Sequence, residues 1–251
     1  VTSDPQLQIA TDALIWNYQT RLGTSDRPIQ IIDRDRQISL TGNKGEIDLI
    51  EDVSSEKVQE LIENKNVIIG SIKGRNYDYV GWNHIDPTAY SKKENKPNRI
   101  FASAKTRKAL SYAINRNEIF QSIVGKYGEI YDSPISPIFK QYFDSNLTKV
   151  EYNPQLAKNI LAEEGWKDNN GDGILEKNNQ KFSFKIYTAA GNSIRQYVGT
   201  IIKNNLKEVG IEAELMFVER SELLDGMIAR KYDAWISGWS IEIPLKLESY
   251  W

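Results

Sequence analysis

From Phe182 onward the spacing of apolar residues changes period repeatedly. Phe182 to Tyr187 alternates apolar and polar positions as a half-buried strand does, Ser193 to Val209 has helical spacing closed by Gly210, and Ile211 to Val218 alternates again. Ser221 to Arg230 then puts Leu223, Leu224, Met227 and Ile228 on one helical face, and Tyr232 to Trp239 reads as another strand. Each crossover is long enough to return the chain parallel to itself, and such crossovers are right-handed, so this half predicts a parallel α/β sheet.

Upstream the helix signals are caps. Ser103 caps a helix running to about Ile114, and Asn115-Arg116-Asn117-Glu118 has the form of a capping box that starts a second one. Asn153-Pro154 supplies a cap and a first-turn proline ahead of Leu156, Ala157, Ile160 and Leu161, with Gly165 where a C-terminal cap belongs. Asp86 to Arg99, with two prolines and the run Lys92-Lys93-Glu94-Asn95-Lys96, reads as an exposed loop dividing the chain roughly in two. Before it, Glu46 to Ile50, Val67 to Ser71 and Tyr77 to Asn83 read as strands, and Ser54 to Asn64 as a helix carrying Val58, Leu61 and Ile62. Leu7 to Tyr18 has helical spacing, and Pro28 to Ile32 looks extended.

Composition narrows the function classes. The chain has 251 residues, enough for one large domain or two modest ones, and 32 basic against 34 acidic residues leave no global positive field for nucleic acid. There is no cysteine, which removes disulfides, thiolate metal sites and cysteine nucleophiles. No apolar run reaches the ~18 residues of a membrane span, and Val1-Thr2-Ser3-Asp4-Pro5 lacks the basic end and apolar stretch of a signal peptide. A chain that opens in this way and stops at Tyr250-Trp251 reads as a piece of a longer protein.

Candidate chemistry follows from the sheet. In open α/β sheets ligands gather beyond the carboxyl ends of the strands, where loops and helix N-termini converge. That rule selects Thr188 to Ser193 with Arg195 in the next helical turn, and Gly238 to Glu242 after the last strand. A catalytic triad would have to use His84, the single histidine, and no G-x-S-x-G turn presents a serine, so His84 is read as passive. Gly191 is not followed by the Gly-Lys-Ser/Thr of a phosphate loop, and no cofactor is implied. Asp168, Asn170 and Asp172 stand at the first, third and fifth positions of a calcium-type loop with Glu176 after them. Position twelve is Asn179 instead of glutamate, so an Asx-rich turn is the preferred reading and calcium the weaker one. Tyrosines number 13, phenylalanines 7 and tryptophans 6, and several rings fall at strand ends, Trp239 among them, where they offer contact area for a ligand held by shape.

Phe101 to Arg116, FASAKTRKALSYAINR, resembles the "vRqAlsyAiDr" signature of the extracellular solute-binding proteins of peptide, dipeptide and nickel ABC importers. Lys44 to Asp48, Tyr79 to Asn83, Asn153 to Trp166 with Asp172-Gly173, and Tyr232 to Trp239 are similar to further family segments in the same order, so the resemblance runs from about Gly45 to Glu242. It implies a periplasmic-binding-protein-like (type II) lobe with a mixed, largely parallel sheet flanked by helices. Residues 1–44 would be a crossover from an absent first lobe, and 45–251 the second of two ligand-clamping lobes. The implied protein is not an enzyme. It captures an oligopeptide or similar small solute and delivers it to importer membrane subunits, outside the cytoplasm, and touches the membrane only through an anchor that lies beyond this segment. Where peptide-binding members carry Gly-Trp-x-x-Asp, with the aspartate on the ligand's amino terminus, this chain has Gly238-Trp239-Ser240-Ile241-Glu242, which keeps the charge on a longer arm. The expected ligand-binding set is Trp239, Glu242, Arg195, Asn192, Ser193, Tyr79 and Asn83, with Arg195 assigned to a ligand carboxylate from its place at a helix start. Two other uses of such a lobe are the ligand-sensing domain of a transcriptional regulator and a hydrolase.

Overall fold

The structure is a computed structural model that describes residues 74–124 and 128–241, together with the backbone of six strands between residues 7 and 48. The chain divides into two compact units. One comprises Val1–Arg75 with Val124–Glu129 and Pro137–Gln141; the other comprises Asn76–Ile123, Ile130–Ser136 and Tyr142–Trp251. The division falls at Arg75 and not within Asp86 to Arg99.

The first unit contains β1 (Leu7–Ala10), β2 (Ile15–Asn17), β3 (Leu22–Ser25), β4 (Ile29–Asp33), β5 (Ile38–Gly42) and β6 (Gly45–Asp48). They form two three-stranded antiparallel sheets, ordered β1-β4-β5 and β2-β3-β6. The helix expected over Leu7 to Tyr18 is therefore replaced by two strands. Leu7-Gln8-Ile9 also fits a period of two, and pairing with β4 selects that reading over the helical one. The extended reading of Pro28 to Ile32 coincides with β4. The expected helix Ser54 to Asn64 and strand Val67 to Ser71 lie outside the described residues.

The second unit is built on β7 (Asn76–Trp82), β10 (Ser183–Ala189), β11 (Glu212–Val218) and β12 (Ala234–Ser240), in the order β11-β10-β12-β7. A small hairpin, β8 (Glu176–Lys177) with β9 (Gln180–Lys181), comes immediately before β10. β10 is parallel to β11 and to β12, as the alternating elements predict, and β7 closes the far side antiparallel to β12.

The helices are α1 (Pro87–Ser91), α2 (Ala104–Ala113), α3 (Arg116–Ile119, continued by a π turn to Val124), α4 (Pro154–Glu163), α5 (Ser193–Glu208) and α6 (Arg220–Ile228). The caps read from sequence form. Ser103 accepts from Thr106 N–H at 3.4 Å, Asn115 from Glu118 N–H at 3.1 Å and Asn153 from Leu156 N–H at 2.9 Å; Asn192, not read as a cap, accepts from Arg195 N–H at 2.9 Å. Gly165 and Gly210 take φ of +88° and +83°, which a side chain would strain. The supposed loop Asp86 to Arg99 is more ordered than its lysine run suggests. Asp86 caps α1 by accepting from Ala89 N–H at 2.8 Å, Pro87 occupies the first helical turn, and Ala89 and Asn98 are buried.

The two faces of the sheet are covered unequally. On one, α2, α4 and α5 bring Leu110, Leu161, Ile202 and Leu206 onto Phe184, Ile186 and Ile236, together with Phe101. Each such side chain, fully buried, contributes about 1.5–3 kcal/mol, so this face carries most of the unit's stability. Gly199 lets α5 come close: a Cβ there would stand 3.0 Å from Leu215 and 3.3 Å from Ile236. On the other face α6 buries a smaller cluster, Ala189, Leu223 and Tyr232, against Tyr187 and Trp235.

Candidate functional site

The register fixes which residues meet at the carboxyl edge. Ile186 pairs with Ala234 and Tyr187 with Trp235, so β10 and β12 run the same way and leave the sheet at the same edge. β7 enters there, with Asn76 opposite Ser240, Tyr77 opposite Trp239 and Asp78 opposite Gly238. The turn after β10 adds Ala190 to Asn192, and α5 begins immediately.

Strand alternation then sorts these residues by face. Tyr77, Tyr79, Trp235, Ser237 and Trp239 share the face that α6 partly covers. The Tyr77 and Tyr79 rings lie 5.9 Å apart, and the Trp235 indole N–H donates to the Tyr79 hydroxyl at 3.4 Å. Gly81 makes room for that indole, since a Cβ there would fall 2.2 Å from it. Trp239 ends the row at 39% exposure.

Asp78 and Gly238 share the opposite face, and there Arg195 arrives from the first turn of α5. Its Nη2 donates to Asp78 Oδ1 at 2.8 Å, and its Nε lies 3.3 Å from both carboxylate oxygens. The pair crosses directly over Gly238, where a Cβ would meet Asp78 Oδ1 at 2.1 Å and Arg195 Nη2 at 2.4 Å. The Asp78 side chain is 46% exposed and the Arg195 side chain 23%, so the acid is the outer partner.

The expected site residues therefore separate. Arg195, Asn192, Ser193 and Trp239 gather at the carboxyl edge, with Tyr79 one register step inside it. Asn192 spends its side-chain oxygen on the cap of α5, while Ser193 is exposed. Arg195 is bound by Asp78 and does not stand as a lone cation. Asn83 corrects the expectation. It follows the far end of β7, is 5% exposed, donates to the Tyr232 and Arg230 carbonyls at 3.0 and 3.3 Å, and accepts from Ile85 N–H at 3.1 Å. A buried amide so engaged is a fastening between β7 and the segment before β12 and does not share the edge with Trp239. Glu242 lies outside the described residues. Asp78 was missed in the sequence, where its one signal is a charge inside an otherwise apolar and aromatic strand.

The calcium-type loop has protein partners throughout. Asp168 accepts from Gly171 and Gly173 N–H at 2.7 and 2.9 Å, Asn170 donates to Glu176 at 2.9 Å, and Asp172 accepts from Ile174 N–H at 2.9 Å while pairing with the Lys181 ammonium. That ammonium holds the Asp172 carboxyl below the usual range. Among the described residues no group of three or more acidic or histidine side chains is arranged to hold a metal. His84 is exposed, and its carbonyl accepts from Asn98 N–H at 2.9 Å.

A cavity of about 740 Å³ opens at the other edge of the sheet, between α1 and the starts of β10 and β12. Asp233 lines it, accepting from Asn98 at 2.8 Å, and burial pushes its carboxyl pKa up, with Asp86 adding to the rise against the Asn98 bond. Its cations Lys92, Lys96, Arg99 and Lys231 are interspersed with Asp86, Glu94 and Asp233, and Lys96 pairs with Glu94 at 2.6 Å.

The family model for bacterial extracellular solute-binding proteins, family 5 Middle, matches residues 28–251. The oligopeptide-binding protein AppA of Bacillus subtilis is 38% identical over 168 residues, which are 66% of this chain and 29% of that protein. The solved structure of Bacillus subtilis AppA in complex with a nonapeptide aligns with a TM-score of 0.65 at 28% identity, covering 94% of this chain and 47% of that one. NikZ from Campylobacter jejuni, solved with Ni(L-His), aligns over 93% of this chain and 46% of its own with a TM-score of 0.61 at 17% identity, a likeness of fold. The chain spans less than half the length of each of these proteins.

Proposed function

The chain belongs to the bacterial extracellular solute-binding proteins of family 5, and we propose that it supplies one wall of a cleft that captures an oligopeptide or similar small solute for an ABC importer. This role involves no chemical step on the ligand. Binding needs rings and hydrogen-bonding groups held ready at an open edge, and a ligand that prefers the closed arrangement of two lobes would drive closure. Importer membrane subunits are the partners this reading implies, and a membrane anchor outside this segment is the means of retention.

The observation that carries the reading is the convergence of β10 and β12 at one edge, with Trp239 exposed on one side of β12 and the Arg195 to Asp78 pair on the other. In this reading Trp239 packs on the ligand, Tyr79 backs that surface, and Ser193 offers polar contact from the start of α5. Glu242, by its resemblance to the family's aspartate, holds a cationic group.

The test is native mass spectrometry of the protein purified without refolding, followed by peptide titration. A distribution of bound masses in the peptide range, and a Trp239→Ala variant that binds on the order of ten times more weakly, support capture. A bare protein mass with no response to peptides at millimolar concentration overturns it.

A further inference from the structure

We infer that Asp78, and not Arg195, is the member of this ion pair that the edge presents to a ligand, so that the pair selects N–H donors and cations over carboxylates. The inference rests on the peptide-capture reading and deepens it. Arg195 extends from the first turn of α5 toward a ligand edge, where an unpaired guanidinium would be a fork for a ligand carboxylate. The fork is already taken. Its Nε and Nη2 both face the Asp78 carboxylate, at 3.3 and 2.8 Å. Three features set the order of the pair.

First, the Arg195 side chain is the more buried partner, at 23% exposure against 46% for Asp78. Second, the pair lies directly over Gly238, where a Cβ would meet Asp78 Oδ1 at 2.1 Å and Arg195 Nη2 at 2.4 Å, so the guanidinium is seated against the β12 backbone. Third, the Asp78 position on an edge strand is rigid, because its neighbours pair in register with β12 from Asn76 to Trp82. A carboxylate oriented by an arginine keeps lone pairs directed outward and accepts strongly from an ammonium or amide N–H. The same neutralisation removes the attraction that a ligand carboxylate would otherwise find here. Asp78 is thus a specificity-determining residue and Arg195 its positioning residue.

The experiment titrates the 251-residue chain by NMR with pentaalanine and with its C-terminal amide, for the parent protein, Asp78→Asn, Arg195→Gln and the double variant. The parent binds the C-terminal amide a few-fold better than the free carboxylate, and Arg195→Gln, which leaves the Asp78 charge uncompensated, favours the amide at least as strongly. Asp78→Asn frees the guanidinium and binds the free carboxylate about tenfold better than the amide, the size of one charge-assisted hydrogen bond, and the double variant loses that preference. A parent that already prefers the free carboxylate, with Arg195→Gln erasing the preference, overturns the inference, as does an Asp78→Asn ratio that stays at the parent's. If no form binds either peptide, the capture reading falls, and the order of the pair is read without ligand. Phenylglyoxal modification of Arg195, followed by mass spectrometry, is then several-fold faster in Asp78→Asn than in the parent, and equal rates overturn the proposal.

Discussion

The Asn205 side chain accepts a hydrogen bond from the Asn115 backbone N–H at 2.9 Å, joining α5 to the start of α3 across 90 positions of sequence. Its amide nitrogen donates to Glu118 at 3.3 Å, so both halves of one buried side chain serve the N-terminus of a neighbouring helix. The Asn115 to Glu118 capping box is thereby completed from outside. Asn115 accepts from Glu118 N–H at 3.1 Å, while Asn205 takes the Asn115 N–H that the Glu118 side chain would take in a closed box.

Asn205→Ala leaves the Asn115 N–H without its acceptor in a half-buried setting, and the expected cost is about 1–3 kcal/mol. Urea unfolding followed by circular dichroism measures it. Glu118→Ala, which removes only the exposed end of the arrangement, is expected to cost less, and the opposite ranking would contradict this account.

Gly238→Ala drives a methyl group into the Asp78 to Arg195 pair. Because both contacting atoms end flexible side chains while the Tyr77 carbonyl, 2.9 Å away, does not, the expected loss is about 1–3 kcal/mol. The loss shrinks when the same change is made in an Arg195→Ala background, giving a coupling of roughly 0.5 kcal/mol or more in a double-mutant cycle. Strict additivity would mean that the pair does not press on β12.

Asp233 gives the folded protein a pH dependence of definite sign. Its folded pKa is raised, burial being the largest cause, so the native state holds the proton more tightly than the unfolded chain does. The associated stability is complete below the ordinary carboxylate pKa and is lost as pH rises through the raised value. Asp233→Asn keeps an acceptor for Asn98 and has nothing to ionise. Its urea midpoint relative to the parent is expected to climb between acid and neutral pH, and a difference that stays flat would refute the assignment.

Calcium leaves the thermal midpoint unchanged at millimolar concentration, and so does chelation. The Asp168 to Glu176 loop is already knotted by its own amides, with Lys181 as the cation on Asp172. A midpoint that rises with calcium and falls with chelator would require the loop to rearrange around the ion.

What was legible in the sequence is what local geometry decides. Ser103, Asn153-Pro154, Gly165 and Gly210 each signal a helix end within four residues, and all four act there. The strand-helix alternation after Phe182 was enough for the parallel pairing and for the edge where Trp239 emerges. Asp86-Pro87 carries the same signal as Asn153-Pro154, but the lysine run beside it points to solvent, and α1 was passed over. Asn83 and Asp78 were not legible for another reason. Their partners, Tyr232 and Arg195, stand 149 and 117 positions away, and a strand-end asparagine or a mid-strand aspartate reads the same whether it faces a ligand, a backbone carbonyl or a guanidinium. Over Leu7 to Tyr18 two periods fit the same residues, and strand partners supplied from elsewhere decide between them.

The placement of β12 between β10 and β7 sets the order in which the protein can mature. Both flanking strands leave the ribosome well before Ala234, and until the last of the four is threaded between them each exposes an inner margin of unanswered amides and carbonyls. The strand that brings Trp239 to the rim is the same one that seals this gap. The chain therefore passes from an adhesive intermediate to a continuous four-stranded sheet only once Ala234 to Ser240 has been made, and chaperone dependence should fall at that step.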